Sequence, residues 1–245
     1  MNLALILPLV FLGALLYSSV GHGGATIYLA ILTLCGQAVE PLVTSVLVLN
    51  ILAAGIAFVM FERAGHLRPR LLVPFLVTSV PAAYWGGLTR MSGRTQAIVL
   101  GVALLAGALR LLFVPNPATA RLERRGATFY VGAPLLGAAL GFLAGTTGIG
   151  GGIFLSPILL FLGWASVKEA GSVASAFIVL NSASALLAKL PKTPLVPETL
   201  LPLAAVVVLG AAVGSFVGAR RLPPRALQVL LGVVLLVAAG KALFA

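Results

Sequence analysis

The sequence predicts an all-α, polytopic membrane protein, because of its composition, the clustering of its charges and the length of its apolar runs. Hydrophobic residues make up 60% of the 245 residues and charged residues only 9%, whereas a soluble domain carries about a quarter charged residues to cover its surface. The uncharged runs between the charge clusters reach the roughly 20 residues that a helix needs to cross a bilayer. Within lipid, each backbone polar group must be satisfied inside its own segment, so we expect helices.

Eight hydrophobic segments follow one another between the charge clusters and prolines. The first run, 3–16, is predicted to be a membrane segment rather than a signal peptide, since no basic stretch precedes it and no small-residue cleavage site follows. None of the runs alternates polar and apolar residues as barrel strands do. The predicted segments are 2–34, 42–61, 71–89, 95–113, 128–162, 167–190, 198–219 and 226–244.

The chain is predicted to consist of two homologous halves of four segments each, 1–113 and 128–245, joined by a basic linker, 114–127. At a shift of 127 residues, the first glycine-rich run falls on the second and Ser45 falls on Ser172. Such matches in chain order indicate an internal duplication. Duplicated helical membrane proteins are typically transporters, although channels also show the pattern.

The first segment of each half is predicted to be broken or re-entrant. Residues 2–34 as one helix would be about 50 Å long, which exceeds the roughly 30 Å of a hydrocarbon core. Each long segment contains a glycine-rich run, which favours unwound backbone. A helix that restarts after such a run has N–H groups without internal partners, and its positive dipole end attracts anions. Two such ends facing each other near the midplane would form an anion site.

Polar side chains near the two runs complete the predicted substrate site. Hydroxyl groups can donate to oxyanion oxygens, and two asparagines lie at similar depths in the following segments, where they either line the path or bond across helices. His22, an imidazole at membrane depth, could bind the anion or carry a coupling proton. The candidate substrate-binding residues are Ser18, Ser19, Gly21, His22, Gly23, Gly24, Asn50, Thr146, Thr147, Gly148, Gly150, Gly151, Gly152 and Asn181.

Glycines also allow helices to pack closely, usually with a spacing of four residues. We assign this packing role to four glycines outside the runs. The glycines within the runs are nearly contiguous, which favours a ligand-binding role for them. The four packing glycines are Gly86, Gly101, Gly214 and Gly232.

The two motifs, Gly21-His22-Gly23-Gly24 and Gly148-Ile149-Gly150-Gly151-Gly152, give the chain a resemblance to the TauE/SafE family of sulfite and organosulfonate exporters. The resemblance covers nearly the whole chain, including the two four-segment halves and the basic linker. The first motif differs from the family pattern in having Ala25 where a third glycine is typical. The resemblance implies export of small sulfur-containing anions such as sulfite, sulfoacetate or other sulfonates, without a cofactor.

The net charge of +11 does not indicate nucleic-acid binding, which needs a basic face on a soluble domain. Lys and Arg instead set the topology, because they collect on the cytoplasmic side. If each long segment crosses once, they divide 10 to 6 with both termini cytoplasmic; if each re-enters, they divide 11 to 5. The second arrangement inverts one half relative to the other, which suits alternating access, and we favour it.

Two rival functions stay open at this stage, a passive anion channel and a non-transporting membrane assembly subunit. A channel would show no dependence on a proton gradient, and a pure scaffold gains nothing from unwound backbone in lipid. The sequence shows no paired intramembrane acids, metal-ligand cluster or activated serine, so we expect neither an enzyme nor a metal site. We expect a multi-pass protein of the bacterial inner membrane whose partners are lipid and a small anion; homo-oligomer formation is left open.

Overall fold

The computed structural model describes residues 3–38, 40–89, 101–102, 104–105, 107–109, 111–113 and 127–244. Within these residues all regular structure is helical, which confirms the predicted all-α class. A 3-10 turn precedes the third helix, a π-type turn follows the eighth, and the described residues between 101 and 113 are also helical. The labelled helices are α1 (Leu3–Ser19), α2 (Ala25–Leu34), α3 (Val43–Arg63), α4 (Pro69–Leu88), α5 (Ala127–Thr147), α6 (Gly152–Phe161), α7 (Val167–Lys189), α8 (Pro197–Phe216) and α9 (Pro224–Phe244).

Five helical stretches of the described chain are long and apolar enough to cross a bilayer. They are α3, α4, most of α5, α7, and the stretch Leu200–Arg221, which is α8 with the turn that follows it. Shorter apolar helices accompany them: α1, α2, α6 and most of α9. The protein is therefore a polytopic membrane protein, as its composition predicts.

The first and fifth predicted segments are each interrupted at the glycine-rich run. α1 ends at Ser19 and α2 begins at Ala25, while α5 ends at Thr147 and α6 begins at Gly152. The residue before α2 is Gly24 with φ 100°, and the residue before α6 is a glycine with φ 72°. Side chains disfavour this left-handed conformation, so glycine lets the chain change direction at both points.

A stripe of glycines on α8 and on the π-type turn that follows it packs against α1. A Cβ at Gly210 would meet the backbone of Phe11, and one at Gly218 would meet the backbone of Ser19, with Gly214 between them. The spacing of four residues puts the three glycines on one face and allows close backbone approach. Because the contacts ascend together in both helices, α1 and α8 run parallel.

A second stripe, on α5, packs in the same way against α4. A Cβ at Gly137 would meet the backbone of Phe75, and one at Gly145 would meet that of Ala83, with Gly141 between them. α4 and α5 are therefore parallel and close. In both pairs, the helix that precedes a glycine-rich break, α1 or α5, packs against the third spanning helix of the other predicted half, α8 or α4.

The two central helices, α3 and α7, run antiparallel. Asn50 of α3 contacts Ser182 of α7, and Phe61, further along α3, contacts Gly171, which comes earlier in α7. Each of these helices also packs against α4 or α8 of the other half. The α3–α7 crossing therefore lies at the centre of the bundle.

These directions define two ends of the bundle. We name the end with the α3–α4 loop, the start of α7 and the end of α8 the Arg68 end, and the opposite end, with the α7–α8 loop, the Lys192 end. α1 is parallel to α8 and so starts at the Lys192 end, and α2 leads back to the start of α3 there. Because α5 is parallel to α4 and α6 leads to the start of α7, α5 begins at the Arg68 end and α6 leads back to it.

Helix directions of this kind are those expected of two inverted halves with re-entrant first segments. That the halves are copies of one unit stays a prediction, as do the boundaries 1–113 and 128–245. The linker 114–127 lies outside the described residues, except for Ala127, which begins α5.

A cluster of polar side chains connects the chain segments that meet at the Arg68 end. The Nε of Arg68 donates to Glu169 Oε1 at 2.6 Å, and the Nζ of Lys168 donates to the carbonyl oxygen of Ala219 at 3.1 Å. The Nε2 of His66 lies 3.2 Å from the same carbonyl oxygen. Partial burial lowers the pKa of the His66 imidazole, while the hydrogen bond to Ala219 opposes that shift. The cluster ties the α3–α4 loop to the start of α7 and the end of α8.

Candidate functional site

A small cavity lies where the α1–α2 break meets the second half of the chain. It contains about 190 Å³ of empty space, including its opening. The part of it that a water molecule can enter is about 10 Å³, close to the room that one water needs, so the cavity is nearly closed in this state. The first half supplies Tyr17, His22, Gly23, Gly24, Ala25, Thr26 and Asn50 to its wall, and the second half supplies Ile149, Ile153 and Ile178.

The N-terminus of α2 opens into this cavity, and Asn50 is bound to it. The backbone N–H of Ala25 donates to Asn50 Oδ1 at 3.0 Å. Gly23 lies against the same oxygen, and a Cβ at this position would overlap it. The positive end of the α2 dipole is thus turned toward the cavity, and a neutral amide oxygen already accepts from its first N–H.

Tyr17 is the residue of the cavity wall whose polar group most clearly needs a ligand. Its side chain is 3% exposed, and its hydroxyl has no hydrogen-bond partner among the described residues. By contrast, the hydroxyl of Tyr28, which is also buried, donates to the carbonyl oxygen of Gly23 at 2.8 Å. Because a buried polar group without a partner is costly, the Tyr17 hydroxyl calls for an explanation. A ligand in the cavity would supply one.

His22 joins the two broken segments. Its Nδ1 lies 3.1 Å from the carbonyl oxygen of Val20, and its Nε2 lies 3.4 Å from Ser156 Oγ in α6. Since a carbonyl oxygen only accepts, the Val20 contact is a hydrogen bond when Nδ1 carries the hydrogen, and Nε2 can then accept from the serine hydroxyl. Both ring nitrogens are therefore engaged within the protein, and the coupling-proton role stays a prediction.

The serines of the first run do not line the cavity. Ser18 Oγ donates to the carbonyl oxygen of His22 at 3.3 Å, and Ser19 Oγ donates to that of Leu16 at 2.7 Å. Gly21, with φ 80°, packs so tightly against α7 that a Cβ would overlap its backbone. This glycine serves the chain reversal and the contact between the halves.

The second run shows the same preference for internal contacts. Thr146 Oγ1 and Thr147 Oγ1 both donate to the carbonyl oxygen of Leu143, at 3.0 and 2.6 Å. Gly148 lies beside the side chain of Val43 at the start of α3. None of these residues is part of the cavity wall.

The remaining glycines of the second run pack against α3, α5 and α7. Gly150 abuts the Asn50 amide and Ser182, so the second run touches the residue that holds the first turn of α2. Gly151 packs on α5 and α7, and Gly152 packs on α7. The structure thus brings the two glycine runs together around Asn50; Gly23 and Gly24 of the first run line the cavity, whereas Ile149 is the residue of the second run that lines it.

The two asparagines are in different states. Asn50 uses both amide atoms, because its Nδ2 also donates to Ser182 Oγ at 2.9 Å. The Nδ2 of Asn181 donates to the carbonyl oxygen of Phe177 at 2.8 Å, but its Oδ1 is buried without a partner among the described residues. Asn181 lies away from the cavity wall.

Sequence reasoning missed Tyr17 and the three wall isoleucines. A signal for Tyr17 was present, since it is a buried-type aromatic residue with a polar tip directly before Ser18 and the break. The isoleucines carried no such signal, because apolar residues are common throughout the chain. No described residue that lines the cavity is charged, and no described His, Cys, Asp and Glu side chains form a metal-holding group of three.

The family model for sulfite exporter TauE/SafE matches residues 6–242 of this chain. The chain belongs to the TauE/SafE family. A relative, the probable membrane transporter protein y4hK of Sinorhizobium fredii (strain NBRC 101917 / NGR234), is 30% identical over 243 residues, which cover 96% of this chain and 95% of the relative. No solved structure matches the chain. This TauE/SafE protein is therefore a membrane transporter with a small-molecule substrate and a lipid environment.

Proposed function

We propose that this TauE/SafE protein exports small sulfur-containing anions, such as sulfite, sulfoacetate or other sulfonates, across the bacterial inner membrane. The observation that carries the proposal is the unpartnered Tyr17 hydroxyl beside the N-terminus of α2 in one cavity. A hydroxyl donor and the positive end of a helix are both complementary to an oxyanion.

The hydrogen-bond donors of the cavity favour transport of an anion over tight binding of it. The cavity offers neutral donors and no charged side chain among the described residues of its wall. A permeating ion must be bound well enough to enter and weakly enough to leave. A helix end with a hydroxyl meets that condition more easily than a buried lysine or arginine.

The mechanism that we propose is alternating access about the α3–α7 crossing. Inverted halves exchange their conformations as a carrier moves between its two states. The difference between Asn50, which holds the first turn of α2, and Asn181, whose Oδ1 is unpartnered, supports this idea. In the opposite state we expect Asn181 to bind the start of α6 and Asn50 to release α2.

We propose that the Arg68 end faces the cytoplasm, because Lys and Arg collect on that side. The described cations of the Lys192 end are fewer, and both the start of α1 and the end of α9 lie there. The Arg68 end carries Arg63, Arg68, Arg70, Lys168, Arg220, Arg221 and Arg225, and the Lys192 end carries Lys189 and Lys192.

The test is uptake of labelled sulfite, sulfoacetate and sulfate into liposomes that contain the purified protein, with and without a pH gradient. We expect saturable uptake of at least one sulfur anion above the level of empty liposomes. Uptake that is not saturable and ignores the gradient would indicate a channel, and no uptake of any anion would refute the proposal. Loss of the gradient response in His22→Asn, with uptake retained, would assign the coupling proton to this residue.

A further inference from the structure

We infer that the cavity selects singly charged anions with an apolar group over doubly charged anions. The inference rests on the proposed transport function and narrows its substrate class. Among sulfur anions, it favours short alkyl sulfonates over sulfate and sulfoacetate.

The charge preference follows from what surrounds the cavity. A helix N-terminus offers about half an elementary charge, and the described residues of the wall supply no Lys or Arg to add to it. The cost of removing an ion from water rises steeply with its charge, since the Born energy depends on the square of the charge. The N-terminus of α2 and the Tyr17 hydroxyl can offset this cost for one negative charge much better than for two.

The preference for an apolar group follows from the division of the wall between the two halves. The first half supplies the polar groups, including Tyr17 and the N-terminus of α2, while the second half supplies only Ile149, Ile153 and Ile178. Ile153 and Ile178 are 3% and 2% exposed, and Ile149 is half-buried. When the cavity widens to admit a sulfonate with its oxygens toward α2, the alkyl group would lie on this isoleucine wall.

The wall also predicts how affinity changes with the ligand. Burial of one methylene group on an apolar surface raises affinity roughly fourfold. The small volume limits this gain to short chains, so we expect ethanesulfonate to bind more tightly than methanesulfonate and a long-chain sulfonate to bind poorly.

The test measures uptake of labelled methanesulfonate into liposomes that contain the wild-type protein, with unlabelled competitors. The competitors are ethanesulfonate, sulfate and ethane-1,2-disulfonate, the last being a dianion with the same carbon chain as ethanesulfonate. We expect ethanesulfonate to compete at a concentration at least about tenfold lower than either dianion. Dianions that compete as well as ethanesulfonate would overturn the inference while leaving anion transport intact. Absence of any anion uptake would instead overturn the proposed function.

A pair of variants tests the isoleucine wall. In Ile149→Thr, the half-buried position makes misfolding less of a concern, and we expect the preference for ethanesulfonate over methanesulfonate to fall roughly threefold. The control is Ile158→Thr, a half-buried isoleucine of α6 that packs in the core and does not line the cavity. An unchanged preference in Ile149→Thr, or an equal loss in the control, would overturn the assignment of this wall.

Discussion

The Nδ2 of Asn50 donates to the Oγ of Ser182 at 2.9 Å where α3 crosses α7. The same side chain accepts from the N–H of Ala25 through Oδ1 at 3.0 Å. The amide of Asn50 therefore connects the first turn of α2 to α7, which belongs to the second predicted half. We therefore expect a change at this crossing to alter the cavity beside α2.

Replacement of Asn50 should separate folding from function. In Asn50→Asp the carboxylate can accept from the Ala25 N–H and, in place of the lost Nδ2 bond, from the Ser182 hydroxyl, and a negative charge near a helix N-terminus is favourable. We expect thermal stability in detergent to be retained and anion uptake to be lost, because the carboxylate takes the place of the substrate's charge. Asn50→Leu, which leaves the Ala25 N–H unpaired, should lower the free energy of unfolding by about 1–3 kcal/mol. Wild-type uptake by Asn50→Asp would contradict this account of the site.

Two tyrosine variants should behave in opposite ways. Tyr17→Phe removes a hydroxyl without a partner among the described residues, so stability should be unchanged or slightly higher while the KM for the transported anion rises about five- to tenfold. Tyr28→Phe removes the hydrogen bond to Gly23 and should lower the free energy of unfolding by about 1 kcal/mol. Kinetics in liposomes and thermal melts distinguish these effects. An unaltered KM in Tyr17→Phe would show that its hydroxyl does not meet the substrate.

A methyl group at Gly23 should disturb the site directly. In Gly23→Ala the Cβ would overlap Asn50 Oδ1, which would push the amide away from the Ala25 N–H, and we expect uptake to fall at least about tenfold. The matched control is Gly132→Ala in α5, where a Cβ meets nothing within 4 Å. Equal uptake by both variants would show that the approach of Gly23 to Asn50 is unimportant for transport.

The glycine stripe on α8 leads to a prediction about stability. In Gly214→Ala the new Cβ would overlap the backbone of Leu15, so α1 and α8 must move apart, at a cost of about 1–3 kcal/mol. Gly240→Ala in α9 meets no atom within 4 Å and should be neutral or stabilising by up to about 1 kcal/mol. Thermal melts of the two purified variants provide the comparison. A stable Gly214→Ala would contradict the close approach of these helices.

The Arg68 end should respond to acid through His66. Its pKa is lowered in the folded protein, chiefly by burial, so the unfolded chain binds a proton more readily. We expect stability to fall as the pH drops below about 6.5, the ordinary pKa of the imidazole, and to be regained as the pH rises. His66→Gln should weaken this dependence in melts recorded between about pH 5 and 8. A steeper dependence in the variant would show that the sign is wrong.

The class, the positions of the spanning helices and the two breaks could all be predicted from the sequence. Bilayer length and charge clustering determine the helices, and contiguous glycines mark the breaks at Ser19 and Thr147. The packing role assigned to Gly86 and Gly214 is confirmed, because each lies against the backbone of a neighbouring helix. These features depend on local composition, which a single sequence contains.

The details of the site depend on register between distant helices, which local patterns do not reveal. The role of Asn181 as a site residue stays a prediction, and the antiparallel crossing places Ser182, the next residue, against Asn50. The hydroxyls of Ser19 and Thr147 are predicted to donate to an anion, and in this structure each donates to a carbonyl three or four residues earlier. That backbone bond is the usual fate of Ser and Thr in a helix.

The pairing of α1 with α8 has a consequence for how the protein is made. α1 emerges from the ribosome well before α8, which carries the glycine face that packs against it. Until α8 is inserted, the face of α1 that later contacts the glycines of α8 is therefore exposed to lipid or bound by a chaperone. A chain truncated before α8 lacks the glycine face against which α1 packs, so we expect membrane proteases to degrade such fragments rapidly.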